Sequence, residues 1–214
     1  DAATVTVALD DRAPDGASTP ALTELAPEVQ LTSLYLGLFD RLPDPGGLAF
    51  WADQLTRATD MGVPGETVLA NIAESFRMSP EGRDRLPTLD SATPSADAVG
   101  EFVTRFHASA FGREPDAAER AHWRQRIADD LRDGAPLGDV VVDMLTPPVP
   151  AENGDTMALY HRLEVARTAV QADASDDASA ATVLAGVDAD RDSVDTALLG
   201  IGGISDEIGD PMIG

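Results

Sequence analysis

The feature that most restricts the fold is an internal duplication. Shifted by 72 residues, Phe39-Asp40-Arg41-Leu42-Pro43-Asp44 aligns with Phe111-Gly112-Arg113-Glu114-Pro115-Asp116. Trp51 aligns with Trp123, Leu55 with Ile127, Pro64 with Pro136, Val68 with Val140 and Ile72 with Met144. No gap is needed between 31–78 and 103–150, and the two Trp are the only ones in the chain. Agreement at Phe, Arg, Pro, Asp and Trp together marks a true repeat, whose copies are expected to take one shape.

That shape is helical. Val29, Leu31, Leu34, Tyr35 and Leu38 fall mostly on one helical face, and Pro43-Asp44-Pro45-Gly46-Gly47 stops the first helix. Asp44 is the expected N-cap of the second helix, with Pro45 at its first position and Leu48, Trp51, Ala52 and Leu55 inward. Val68, Leu69, Ile72, Ala73 and Phe76 form a third helix that ends before Pro80. The second copy repeats this from the Ser95 cap: Val99, Phe102, Val103, Phe106 and Ala110; then Trp123, Ile127 and Leu131 after Pro115-Asp116; then Val140, Val141, Met144 and Leu145 before Pro147-Pro148. Residues 79–95, with Pro80, Pro87 and Pro94, read as a connector with one short helical turn. A helix over 156–172 and short ones near 178–186 and 191–200 follow.

Only Val5, Val7 and Leu9 alternate as a strand or extended arm would. The expected class is therefore all-α: duplicated three-helix units packed as a helical bundle, with additional C-terminal helices. The divisions are 1–25, an N-terminal arm or loop; 26–90, the first repeat; 91–150, the second; 151–200, a C-terminal helical segment; and 201–214, a Gly-rich, loosely held tail.

Composition narrows the partners. The 214 residues carry 38 acidic and 15 basic side chains, a net charge of −23. That charge excludes nucleic acid as a partner, because phosphate binding needs a cationic face. No apolar run reaches the roughly 20 residues of a bilayer crossing. There is no Cys, so thiolate chemistry and disulfides are excluded, and every cation is Arg. Arg without Lys, with 27 Asp against 11 Glu, suits a GC-rich genome or a salty habitat, where a halophilic acidic surface keeps a protein dissolved. A chain that opens on Asp1 is expected to be a processed product or a fragment.

The Arg-x-Pro-Asp turns recur in both copies. Arg41 and Arg113 are expected at helix C-termini, where a cation meets the dipole and can bond the last carbonyls. Asp44 and Asp116 cap the helices that carry Trp51 and Trp123, expected on the core face. An architectural role accounts for all six residues.

The string 34–55 resembles the signature of the bacterial domain-of-unknown-function 4214 family: a Leu-Tyr helix, Gly-Arg-x-Pro-Asp, Gly-Leu-x-Tyr-Trp and Gln-Leu. Asp40 stands for the usual Gly and Phe50 for the usual Tyr. In the second copy Glu119-Arg120 replaces Gly-Leu, which is similar to the corresponding turn of phycobilisome linker domains. Glu74-Ser75-Phe76, Leu184-Ala185-Gly186-Val187 and Ser193-Val194 extend the resemblance over about 29–200. It implies a secreted or cell-surface bacterial module of the kind found beside calcium-binding RTX repeats and in the lipopolysaccharide-gripping part of some S-layer proteins. It brings no catalytic residues.

No nucleophile elbow or phosphate loop occurs, and His107, His122 and His161 include no His-x-x-x-His pair. No catalytic residue, and no cofactor other than calcium, is expected. Asp188, Asp190, Asp192 and Asp195 open an oxygen-ligand loop, but Ser193 stands where such a loop needs Gly and Leu199 where it needs Glu. The competing reading has Asp190 or Asp192 capping the next helix. The expected function is non-catalytic attachment to envelope glycan, lipopolysaccharide or another surface protein. A spacer in a large RTX-type protein and an extracellular hydrolase with an unrecognised carboxylate site are the alternatives.

Overall fold

The computed structural model describes residues 20–90, 94–146, 154–172 and 180–208, with the backbone alone for 88, 90 and 202–208. The alternating stretch at Val5–Leu9, the Pro147-Pro148 stop and residues 209–214 lie outside them. Among the described residues the chain is all-helical, without strands. The first copy holds α1 (Pro27–Phe39), α2 (Pro45–Asp60) and α3 (Gly65–Met78), and the second holds α5 (Ala96–Phe111), α6 (Ala117–Asp133) and α7 (Gly138–Leu145). The connector carries more structure than one turn: α4 (Pro80–Arg85) and a 3-10 turn at Pro87–Asp90. Ser79 explains α4, its hydroxyl accepting from the Gly82 amide ahead of Pro80 at the first position. α8 (Asp155–Gln171), α9 (Ala180–Val183) and α10 (Arg191–Ile208) complete the bundle. α10 runs on through Gly202-Gly203 to Ile208, with Val194 and Ile201 buried in the core.

α1 is the central helix. Every residue from Gln30 to Phe39 is buried, and α1 packs against α2, α3, α5 and α8. Between the copies, like packs on like: α1 lies on α5 and α3 on α7, the pairing that a two-fold relation between copies produces. At the α3–α7 contact the backbones nearly touch. A Cβ on Gly138 would stand 2.0 Å from the Ala70 carbonyl oxygen. α2 and α6 lie outside this pairing, and each buries little: Ala52 and Leu55 on one, Ile127 on the other. Trp51 and Trp123 are partly buried and packed against the core. The indole of Trp51 meets Phe76 edge-on at 5.4 Å between ring centres, but nothing covers its outer side completely.

Candidate functional site

Both Arg-x-Pro-Asp turns fold as helix–turn–helix corners. Asp44 accepts from the Gly47 amide at 2.6 Å, and Asp116 accepts from the Ala118 and Glu119 amides at 2.7 and 2.8 Å. The arginines do something other than bond the last carbonyls of their helices. Arg41 grips Glu81 at the start of α4 with Nε to Oε1 at 2.7 Å and Nη2 to Oε2 at 2.8 Å, and its guanidinium lies 4.8 Å over the Tyr35 ring. Arg113 grips Asp155, the first residue of α8, with two 2.6 Å bonds, and also holds both oxygens of Glu119. A bidentate carboxylate in reach outcompetes a carbonyl for a guanidinium. The carbonyl role passes to other residues: Arg85 donates to Phe39 O at 2.7 Å, and Arg162 to Ser109 O at 3.0 Å.

The two corners end differently. Asp40 and Gly112 occupy the same place, and both take left-handed backbone, with φ of 50° and 71°. Glycine accepts this freely, whereas a side chain there is disfavoured by roughly 1–2 kcal/mol, less for Asp. Among the described residues Asp40 is the single non-glycine with positive φ. Its Oδ1 accepts from the Ser109 hydroxyl at 2.8 Å, and its Oδ2 has no partner among the described residues.

Asp40 lines an open cleft of about 390 Å³ between the end of α1, the face of α5, α8 and the α9–α10 link. Arg105, Ser109 and Arg162 supply its other polar side chains on the helices, with Leu184 and Val187 among its apolar walls. Arg162 is 6% exposed and meets no carboxylate: it donates to the carbonyls of Ser109, Leu184 and Val187 at 3.0 Å and of Ala108 at 3.5 Å. Ala108 and Ser109 belong to the last turn of α5, so the negative end of that helix holds the cation. Burial still pulls its pKa down to about 10. Gly112 permits the approach, since a Cβ there would lie 3.1 Å from Arg162 Nη1. Arg105 donates only to Arg85 O, at 3.4 Å, and burial lowers its pKa too.

The acidic loop opens the far wall of the cleft at Asp188. Asp188 Oδ1 accepts from the Asp190 amide, Asp190 Oδ1 accepts from the Asp192 amide, and Asp195 sits a turn into α10, 3.8 Å from Arg191. Of these, the Asp190–Asp192 bond lies at the start of α10, where a cap sits. No group of three or more His, Asp or Glu able to hold a metal converges among the described residues. His161 is fully buried, and its Nδ1–H donates to Asp188 O at 2.9 Å, because a carbonyl can only accept; its Nε2 has no partner among the described residues. His107, in the place of Tyr35, is likewise buried with Nδ1–H on Val103 O, and burial lowers its pKa. His122 lies on the outer face of α6.

The structure thus brings together Asp40, Arg105, Ser109 and Arg162, a set that spacing does not reveal. Two signals were present: Asp40 at a glycine position, and Arg162 inside the otherwise packed run Leu159–Leu163. Compared with protein families, with curated proteins and with solved structures, the chain matches none.

Proposed function

We propose that this chain is a non-catalytic, secreted or cell-surface helical module that attaches to envelope glycan, lipopolysaccharide or another surface protein, and that the Asp40 cleft is where it holds its ligand. One observation carries the reading. Among the described residues Asp40 alone keeps a side chain in left-handed backbone, where the equivalent corner uses glycine, and it lines the cleft. Backbone strain of this kind gathers at functional sites. The Asp40 carboxylate and the exposed Arg105 guanidinium offer an acceptor and donors for the hydroxyl groups of a sugar. The resemblance of 34–55 to a family of bacterial surface proteins points the same way.

The test exploits the geometry. Asp40→Gly removes the carboxylate yet suits the φ of 50°. Relief of strain and loss of the Ser109 bond offset each other, so stability should stay within about 1 kcal/mol of the parent. Attachment to native envelope fractions should fall at least about tenfold, the worth of one charge-assisted hydrogen bond. Undiminished attachment by the folded variant would place the binding surface elsewhere.

A further inference from the structure

From the line of exposed side chains on α2 we infer that the chain pairs with a second copy of itself, α2 against α2 in opposite directions across a two-fold axis.

Among the described residues, the large apolar side chains left in the open include Phe50, 56% exposed, Met61, 77% exposed, and Val63, all on α2 or just past its end. The repeat does not require them there. Shifted by 72 residues they correspond to His122, Asp133 and Ala135, and α6 forms the same helix without them. Packing within the chain does not account for them either. Phe50 meets Trp51 edge-on, with 5.1 Å between ring centres, and more than half of it stays in water. α2 lies outside the α1–α5 and α3–α7 contacts, and its outer face is open.

The open side chains are in register. Phe50, Gln54, Arg57 and Met61 are spaced by four, three and four residues, as along the seam of a coiled coil. All four are exposed, and the Met61 amide still bonds Arg57 O, so the helical path holds to the end of the line. The two ends of the line are apolar and its middle is polar. The Asp53 carboxylate stands on the flank, 2.9 Å from Arg57 Nε. Such a line complements itself in one orientation. With the two-fold axis level with the midpoint between Leu55 and Thr56, Phe50 meets the partner's Met61, and Arg57 meets the partner's Gln54 and the partner's Asp53. A parallel pairing sets Arg57 against its own copy. The line is short, about 16 Å from Phe50 to Met61, so the dimer is weak and reversible. The −23 charge of each chain opposes it at low salt, and at 1 M salt the screening length falls to about 3 Å.

Sedimentation equilibrium of the full chain in 1 M sodium chloride, at roughly 0.01–1 mM chain, tests this. The average mass should climb towards twice that of one chain. Phe50→His and Met61→Asp, which install the residues of the second copy, should each weaken association at least about tenfold at unchanged melting temperature. Arg57→Asp should weaken it as well, and adding Asp53→Arg to that variant should recover it. Because the chain has no Cys, single cysteines report direction. In an equimolar mixture of Phe50→Cys and Met61→Cys chains, air oxidation should give the mixed disulfide ahead of either self-linked product. A chain that stays monomeric throughout, or association that both Phe50→His and Met61→Asp leave intact, would overturn the pairing and leave this face to a different partner. Self-linked Phe50→Cys chains ahead of the mixed product would overturn the antiparallel order.

Discussion

Arg113 and Asp155 form the more demanding of the two corner pairs. The Asp155 side chain is 5% exposed, against 34% for Glu81 in the other corner. Removing the arginine takes a bidentate cation from a buried carboxylate in one case and, in the other, from a more hydrated one that keeps Arg85. Arg113→Ala should therefore cost about 3 kcal/mol, and Arg41→Ala about 1 kcal/mol. Urea unfolding midpoints at constant slope will read the difference, and equal losses would refute it. The corners also differ in how they fill the space behind the arginine. In the first copy Tyr35 lies under Arg41, and a Cβ on Gly47 would come 2.6 Å from the tyrosine hydroxyl. In the second copy the smaller His107 leaves room, Glu119 takes the glycine's place, and its carboxylate holds Arg113. Arg113 and the Asp116 amide pull the Glu119 pKa down to about 2. A depressed carboxylate stabilises the fold above its unfolded value, near 4.3, and loses that contribution as pH falls towards 2. The stability gap between the parent and Glu119→Gln should accordingly be widest above about pH 5 and should narrow by pH 2, which denaturant melts across that window will show.

At the scale of elements, the contact between α3 and α7 leaves the least room for change. Gly138 starts α7 against the Ala70 carbonyl, a backbone atom that cannot swing aside. Gly138→Ala should force the helices apart and cost about 1–3 kcal/mol, the range of core overpacking; an unchanged unfolding midpoint would show that α7 can shift freely. Helix placement itself was legible in the sequence. Asp44, Ser95 and Asp116 cap the helices they were expected to cap, because a cap is set by residues within three positions of each other. Burial on α2 and α6 was less legible. Periodicity identifies the inward side of a helix but not how much neighbouring structure covers it, so it put both Trp on the core face without fixing that they would be only partly buried there.

For the whole molecule the governing quantity is charge. At −23 the compact state repels itself, and screening relieves that repulsion. The melting temperature should climb between low and molar sodium chloride; a flat profile would mean that local pairs such as Arg113–Asp155 already balance the field. By itself the sequence determined the all-α class, the duplication, the helix caps and the separation of each copy into three helices. All of these rest on interactions between residues a few positions apart or on the 72-residue repeat. Only the tertiary structure decided that Arg41 and Arg113 reach carboxylates 40 and 42 residues away, and that Asp40, Arg105, Ser109 and Arg162 share one cleft. The reason is physical. A guanidinium can take any oxygen within reach, and which oxygens come within reach is fixed by how α1, α5 and α8 pack, which local patterning does not encode.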